Sequence, residues 1–368
     1  MPDPRVEKLA SILINYSLEI QPGQQLMIRS NTLADELVLA SYKEALKAGA
    51  HVLLRLDPPE AEETFYKYAS DEQLDFIPPP LKMIWETFDA VLSIGAEQNT
   101  RALTHTDPER AARRSRAAHP YTKIFYDRAA RKEARWCYTV FPTHASAQEA
   151  NMSLDEFREF VFAANKLNEP DPVADWRAEG LRQQQLVDWL AGKDQVVLKG
   201  RDIDLRMSIK GRTFIPADGK YNMPDGEIFT GPVEDSVNGW VRFRYPLIWM
   251  GREVTGVELW FEDGKVVKEK ADSGLELLTS MLNMDHGARY LGELGIGTNY
   301  SIPSFVKDIL FDEKLGGTIH LAVGESYPET GGKNESGLHW DMICDMAEAE
   351  ITVDGEPFYR CGKPVLWE

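Results

Sequence analysis

Helix-like and strand-like segments alternate over the first 95 residues, and this alternation constrains the fold more than any other feature of the sequence. Apolar residues recur at helical spacing in Pro4 to Tyr16 and in Leu33 to Ala48. Gln25 to Arg29, His51 to Leu56 and Ala90 to Gly95 are short apolar runs typical of buried strands. Short links between strand, helix and strand favour a parallel sheet. The sequence therefore predicts an N-terminal doubly wound α/β domain.

The pattern changes near residue 190. From residue 194 to about residue 262 the strand-like segments are short and separated by Gly, Pro and Asp, which is typical of antiparallel sheets. Apolar spacing then predicts a helix from Glu276 to Leu294. We predict two domains: an α/β domain of residues 1–190, followed by a mixed α+β metal-binding domain of residues 191–368.

Charge and cysteine content narrow the function classes. The chain has 41 Lys and Arg against 59 Asp and Glu, a net charge of −18. This excess of acid argues against a nucleic-acid partner, so the arginine-rich stretch from Arg101 to Arg135 is interpreted as a solvated helical surface. No apolar run is long enough for a membrane span, and the N-terminus does not resemble a signal peptide. Three widely spaced cysteines fit a reducing compartment, so we predict a cytoplasmic protein.

Two of the seven histidines lie in strand-like segments of the second domain. His320 lies in a predicted strand with glycine at both ends, and His339 begins the sequence His-Trp-Asp. Alternation along a strand directs His339 and Asp341 to the same face. Imidazole together with carboxylate suits Zn, Mn, Co or Fe. The pair therefore predicts part of a metal site.

Three glutamates and a tyrosine in the same domain extend this candidate site. Glu227 follows a group of turn formers at the start of a short apolar strand, and glycines flank Glu293. Glu313 ends an apolar run shortly before His320. Each glutamate alone could be an ordinary surface charge, but the set together favours metal binding. Tyr327 follows in the next segment and could supply a phenolic donor.

The segments NMPDGEIFTGP, GELGIGTN, ILFDE, HLAVGESYPETGG and HWDM occur in this order and resemble the M29 family of metalloaminopeptidases, which includes aminopeptidases T and S. The resemblance implies two divalent cations per chain (zinc, cobalt or manganese), held by Glu227, Glu293, Glu313, His320, His339 and Asp341. It also implies that Tyr327 is the catalytic tyrosine. Two metal ions need a bridging carboxylate to hold them close together, and we assign this role to Glu293. Residues 314–319 form a longer segment than in the family's LFDEN-type version, so the resemblance supports Glu313 less than the other ligands.

The resemblance implies a homodimeric aminopeptidase that hydrolyses the N-terminal peptide bond of short peptides with metal-activated water. One alternative is a mononuclear non-haem Fe(II) ring-cleaving dioxygenase, in which His320, His339 and Asp341 form the iron-binding triad. The three glutamates favour the hydrolase, because a mononuclear iron site does not need them. Another alternative is a non-catalytic binding protein on a decayed peptidase scaffold, and the complete ligand set disfavours it.

Overall fold

The computed structural model describes residues 3–367, which divide into two compact units. The first unit contains residues 3–173 and 219–224, and the second contains residues 174–218 and 225–367. The predicted boundary at residue 190 stays a prediction, while most of the helix that ends at Leu190 lies in the second unit. Within residues 3–367, no helix combines the length and the apolar character needed to cross a membrane.

The elements follow one another in an order that separates helix-rich and strand-rich parts of the chain. The helices are α1 (Pro4–Ser11), α2 (Asp35–Lys47), α3 (Ala61–Tyr68), α4 (Asp71–Asp75), α5 (Pro79–Thr87), α6 (Pro108–Ala130), α7 (His144–Glu149), α8 (Leu154–Ala164), α9 (Pro172–Leu190), α10 (Leu275–Leu282) and α11 (Ile309–Asp312). The strands are β1 (Gln25–Asn31), β2 (His51–Asp57), β3 (Ala90–Gly95), β4 (Arg135–Val140), β5 (Gln195–Gly200), β6 (Ile203–Ser208), β7 (Ile215–Ala217), β8 (Asn222–Met223), β9 (Glu227–Thr230), β10 (Asn238–Phe243), β11 (Leu247–Trp249), β12 (Arg252–Val254), β13 (Val257–Glu262), β14 (Lys265–Lys270), β15 (Leu291–Gly297), β16 (Thr318–Gly324), β17 (His339–Asp345), β18 (Ala349–Val353), β19 (Glu356–Arg360) and β20 (Lys363–Pro364). A π-helical segment, Ile12–Ser17, continues α1.

The first unit is built on a parallel sheet with the strand order β2-β1-β3-β4-β8. The central strands β1 and β3 are apolar, and Met27 and Leu92 have no exposed surface. Helix α2 packs against β1 and β2. The predicted N-terminal α/β domain with a parallel sheet is therefore confirmed.

Strand β2 departs from the prediction of a buried strand. It forms the edge of the sheet and, among the described residues, pairs with β1 alone. Leu53, Leu54 and Leu56 are 36–40% exposed. The prediction of burial is wrong because an apolar run does not reveal whether a strand lies at the centre or at the edge of its sheet.

The second unit contains two large antiparallel sheets, with the orders β14-β13-β10-β6-β5-β18-β19-β20 and β17-β16-β15-β9-β7, and the two-stranded sheet β11-β12. Apolar side chains of both sheets meet in one core, as Leu198 and Leu205 of the first and Leu294 and Leu321 of the second show. Period-two alternation buries one face of each strand in this core. The predicted mixed α+β character of the second part is confirmed.

The predicted helix from Glu276 to Leu294 is correct only over its first half. Helix α10 ends at Leu282, and Leu291 begins strand β15. Between them the carboxylate of Asp285 accepts hydrogen bonds from the backbone N–H groups of Gly287 and Ala288, at 3.0 and 2.9 Å. This side-chain turn ends the helical region. Glu293 therefore lies on a strand and not on a helix.

Candidate metal centre

The five-stranded sheet carries ionisable residues on the face opposite the apolar core. Glu293 lies on β15, His320 on β16, and His339 and Asp341 on β17. The apolar residues between them along these strands belong to the core. Strand pairing places Glu293 and Asp341 on either side of the same β16 residue, and Glu227 of β9 opposite Gly297. The alternation that fills the core therefore gathers the predicted ligands on one face.

Small residues separate the ionisable ones on this face. They are Gly295 and Gly297 of β15, and Ala322 and Gly324 of β16. A Cβ atom built on Gly295 would lie 1.9 Å from His320 Nε2, so the imidazole lies directly over this glycine. Glycine at this position lets the ring lie over β15 and reach the carboxylates of Glu293 on β15 and Glu227 on β9.

Glu293 stands between the two imidazoles. Its Oε1 atom lies 3.3 Å from His320 Nε2, and its Oε2 atom lies 3.2 Å from His339 Nε2. Glu227 Oε2 completes the first group at 3.2 Å from His320 Nε2, and Asp341 Oδ2 completes the second at 3.5 Å from His339 Nε2. In each group the potential ligand atoms all lie within 4.8 Å of one another. The structure thus brings five of the six predicted ligands into two groups that share Glu293.

Backbone carbonyls hold both imidazole rings. His320 Nδ1 lies 2.9 Å from the carbonyl oxygen of Glu313, and His339 Nδ1 lies 2.9 Å from that of Glu325. A carbonyl only accepts, so each Nδ1 carries the proton and each Nε2 faces the carboxylates. The buried Oε2 atom of Glu227 has no hydrogen bond. Lone pairs that converge in this way fit a divalent cation, and a backbone partner on the second nitrogen is usual for metal-ligating histidines.

The electrostatics of the site favour added positive charge. Burial opposes a charged His320, but the carboxylates of Glu227 and Glu293 outweigh it and raise the pKa of His320 to about 10. Burial also opposes ionisation of Asp341, yet the facing His339 lowers the pKa of this carboxyl to about 2. Burial itself raises the pKa of Glu227 to about 8. The centre therefore holds a proton or another cation strongly.

Lys314 is a buried member of the site that sequence reasoning missed. It has no exposed surface, forms an ion pair with Glu313, and places its ammonium 3.6 Å from Glu227 Oε1. Glu313, the sixth predicted ligand, lies outside both groups with its carboxylate on Lys314, while its backbone carbonyl orients His320. Lysine is mostly found at the protein surface, so the residue type alone predicts an exposed side chain here. No local sequence signal therefore indicates that Lys314 is buried.

Tyr327 lies beside the second group. Its ring centroid is 5.0 Å from that of His339 and 5.5 Å from that of Phe229. Tyr327 is 40% exposed, whereas Glu227 and Glu293 are buried, so the centre opens to solvent on its Tyr327 side. The surrounding protein partly desolvates the phenol, and with the carboxylates nearby it raises the pKa of Tyr327, so the phenol keeps its proton.

Two carboxylate–imidazole groups that share one glutamate have the ligand types of a metal-binding protein. Comparison with known proteins identifies the protein family. A family model described as thermophilic metalloprotease (M29) matches residues 2–363. The chain belongs to this family, which confirms the resemblance seen in the sequence segments.

Characterised relatives match the chain over nearly its full length. Aminopeptidase 2 of Geobacillus stearothermophilus is 29% identical, with 98% of this chain and 97% of that protein covered. Aminopeptidase AmpS of Bacillus subtilis is 27% identical, with 97% and 98% covered. The solved structure of wild-type AmpT from Thermus thermophilus superimposes with a TM-score of 0.85 at 25% identity, covering 98% of this chain and 99% of that chain.

Proposed function

We propose that this chain is an aminopeptidase that releases the N-terminal residue of short peptides at a centre for two divalent cations, zinc, cobalt or manganese. Glu227, Glu293 and His320 would hold one cation, and Glu293, His339 and Asp341 the other. The observation that carries the proposal is the position of Glu293, with one carboxylate oxygen facing each imidazole. A bridging carboxylate of this kind is what a two-metal site requires.

The chain's own residues prepare the site for peptide hydrolysis. Bound divalent cations would polarise the scissile carbonyl and lower the pKa of a water molecule. The backbone carbonyls of Glu313 and Glu325 fix His320 and His339, so their Nε2 atoms need no reorientation. The net charge of −18 also favours the approach of the cationic α-amine of a peptide.

Tyr327 would act on the transition state. It lies on the open side of the centre, next to His339, and its phenol stays protonated because its pKa is raised. A protonated phenol there would donate a hydrogen bond to the oxyanion that develops on the scissile carbonyl. One such donor typically contributes about 3 kcal/mol to transition-state stabilisation.

The ring-cleaving dioxygenase alternative is not supported. The family is one of metalloproteases, and the residues of the postulated iron triad fall into different groups. His320 belongs with Glu227 and Glu293, whereas His339 and Asp341 form the second group with Glu293. A mononuclear triad would instead require both histidines and the aspartate around one point.

Several further expectations stay predictions. They are metal ligation by the Glu313 side chain, the homodimer, the cytoplasmic location and the lack of nucleic-acid and membrane partners. The described cysteines Cys137, Cys344 and Cys361 form no disulfide.

Metal analysis combined with a peptidase assay tests the proposal. Protein purified without chelators should contain two divalent cations per chain and should release N-terminal residues from short peptides but not from their N-acetylated forms. Glu293→Gln should lose metal and activity, because a neutral amide cannot bridge two cations. Glu253→Gln is the matched control, since Glu253 pairs with Lys307 at 2.6 Å and belongs to neither group. One iron per chain with oxygen consumption would contradict the proposal.

A further inference from the structure

Lys314 is a cation already present beside the metal centre. Its side chain is fully buried and its ammonium contacts carboxylates of Glu313 and Glu227. The backbone holds the residue in place, because Lys314 N–H donates to Phe311 and its carbonyl accepts from Asn299, at 3.1 and 3.0 Å. A buried ammonium is costly unless carboxylates compensate it. Lys314 thus depends on the same carboxylates that surround the centre.

Glu227 is shared between Lys314 and the first group. Its Oε1 atom lies 3.6 Å from Lys314 Nζ, and its Oε2 atom lies 3.2 Å from His320 Nε2. A cation held by Glu227, Glu293 and His320 would therefore lie close to the ammonium across a single carboxylate. Like charges at such a separation repel, and burial leaves this repulsion little screened.

The charges of the centre point the same way. The carboxylates of Glu227, Glu293, Glu313 and Asp341 surround the centre, and Lys314 supplies one positive charge to them before any metal binds. The negative charge of the buried Asp225 acts on Lys314 as well. Each bound cation therefore meets less net negative charge than it would meet in a centre without the lysine.

The second group is more exposed to solvent than the first and contains neither carboxylate that pairs with Lys314. His339 and Asp341 come from strand β17, and their side chains are 24% and 11% exposed, against 1% for His320. Solvent reduces the repulsion at this position, and the ion pairs of Lys314 are with Glu227 and Glu313, which do not belong to the second group.

We propose that Lys314 is a resident cation of the metal centre that makes the two metal positions unequal. It lowers the metal affinity of the site formed by Glu227, Glu293 and His320. The site formed by Glu293, His339 and Asp341 therefore binds its cation first. This inference rests on the proposed two-metal function and adds to it an order of filling.

Calorimetric titration of the chelator-treated full chain with Co²⁺ tests the inference. The wild-type protein should bind two cations in steps that differ at least tenfold in affinity. Lys314→Gln should strengthen the weaker step at least tenfold and change the tighter step less. Lys314→Arg keeps the charge and should keep the gap. Lys307→Gln removes a lysine that pairs with Glu253 instead, and it should leave both steps as in the wild type.

Variants of the ligands assign the steps. Glu227→Gln should remove the weaker step, and Asp341→Asn the tighter one. Two equal steps in the wild type, an unchanged gap in folded Lys314→Gln, or loss of the tighter step in Glu227→Gln would overturn the inference. If Lys314→Gln does not fold, the wild-type gap and the assignment by the ligand variants still decide. Absence of any binding by the wild-type chain would instead refute the two-metal function as well.

Discussion

In the first unit, charged side chains pair on the surface: Arg113 of α6 contacts Asp75 of α4 at 2.6 Å, with side chains 34% and 51% exposed. In the second unit, Glu293 and His320 lie 3.3 Å apart, with side chains 5% and 1% exposed. Water hydrates both side chains of the first pair whether or not they contact each other. The second pair has lost its water, and its charges must be balanced from within the centre.

Buried charges, and not surface charges, mark the candidate functional region of this chain. Both units contain many acidic and basic residues, but within residues 3–367 the groups able to hold a metal ion lie in the second unit alone. Burial and convergence of ligand atoms, and not the abundance of charge, separate a site from a solvated surface. Substitutions in the two regions should therefore differ in their effect on metal binding and activity.

The largest effect is expected from His339→Ala. Loss of a ligand should lower the metal content and abolish peptidase activity, since the remaining Glu293 and Asp341 cannot complete the second group. The first unit should stay folded. Hydrogen exchange in β1 and β3, measured together with metal content, checks both statements. Full activity at limiting metal would show that His339 is not a ligand.

Tyr327→Phe should separate transition-state stabilisation from metal binding. The ring packing on His339 and Phe229 is kept, and only the phenolic donor is lost. We expect kcat to fall by roughly 10²–10³-fold with similar KM and unchanged metal content. Steady-state kinetics and metal analysis of the same preparation measure this. A kcat close to that of the wild type with metal bound would remove Tyr327 from the mechanism.

Gly295→Ala tests whether the imidazole of His320 needs the bare backbone beneath it. The added methyl would overlap the ring at 1.9 Å from Nε2, so His320 must move. We expect metal affinity to fall by roughly 10–100-fold, as for other changes that misorient a ligand. Gly337→Ala is the control, because its nearest atom, Asp285 Oδ2, lies 3.4 Å from the added Cβ. Equal metal affinity in both variants would contradict this account of the glycine.

The metal-free protein should lose stability as the pH rises. The pKa of His320 is raised from 6.5 to about 10, so the stabilisation is complete below pH 6.5 and is lost as the pH rises through 10. The pKa of Glu227 is raised from 4.5 to about 8, so the free energy of unfolding also falls as the pH rises from 4.5 to 8. Bound metal replaces the proton and should remove much of this dependence. Urea midpoints from pH 6 to 10 measure it, and identical pH dependence with and without metal would contradict the expectation.

The smallest effect is expected at the surface of the first unit. Arg113→Gln breaks the ion pair with Asp75, but both side chains stay hydrated. Metal content and activity should equal those of the wild type, and the urea midpoint should hardly change. Lost activity in a folded Arg113→Gln protein would mean that the arginine-rich helix is more than a solvated surface.

Parts of this structure could be predicted from local sequence. Strand β3 has the predicted bounds, and the His-Trp-Asp alternation placed His339 and Asp341 on one face as expected. The helix predicted from Glu276 to Leu294 is wrong at its C-terminal end, because apolar spacing in Leu291–Gly297 fits a helix and a strand alike. Gly292 and Gly295 of that segment closely approach β16, which only the folded sheet reveals.

The orientation of the imidazoles and the burial of Lys314 could not be predicted from the sequence, because both depend on long-range contacts. The backbone carbonyls that orient His320 and His339 come from segments whose conformation depends on the whole sheet. Lys314 looks like any charged residue until the fold buries it against Glu227. Residue types and the family resemblance predicted the candidate ligands, whereas their burial and orientation required the structure.

An anomalous-scattering map of crystals loaded with zinc shows how many cations the centre holds and where they lie. We predict two peaks about 3.5–4 Å apart on either side of the Glu293 carboxylate, one beside His320 and one beside His339. A single peak ligated by both histidines, or two peaks that do not share Glu293, would contradict the proposed two-metal centre.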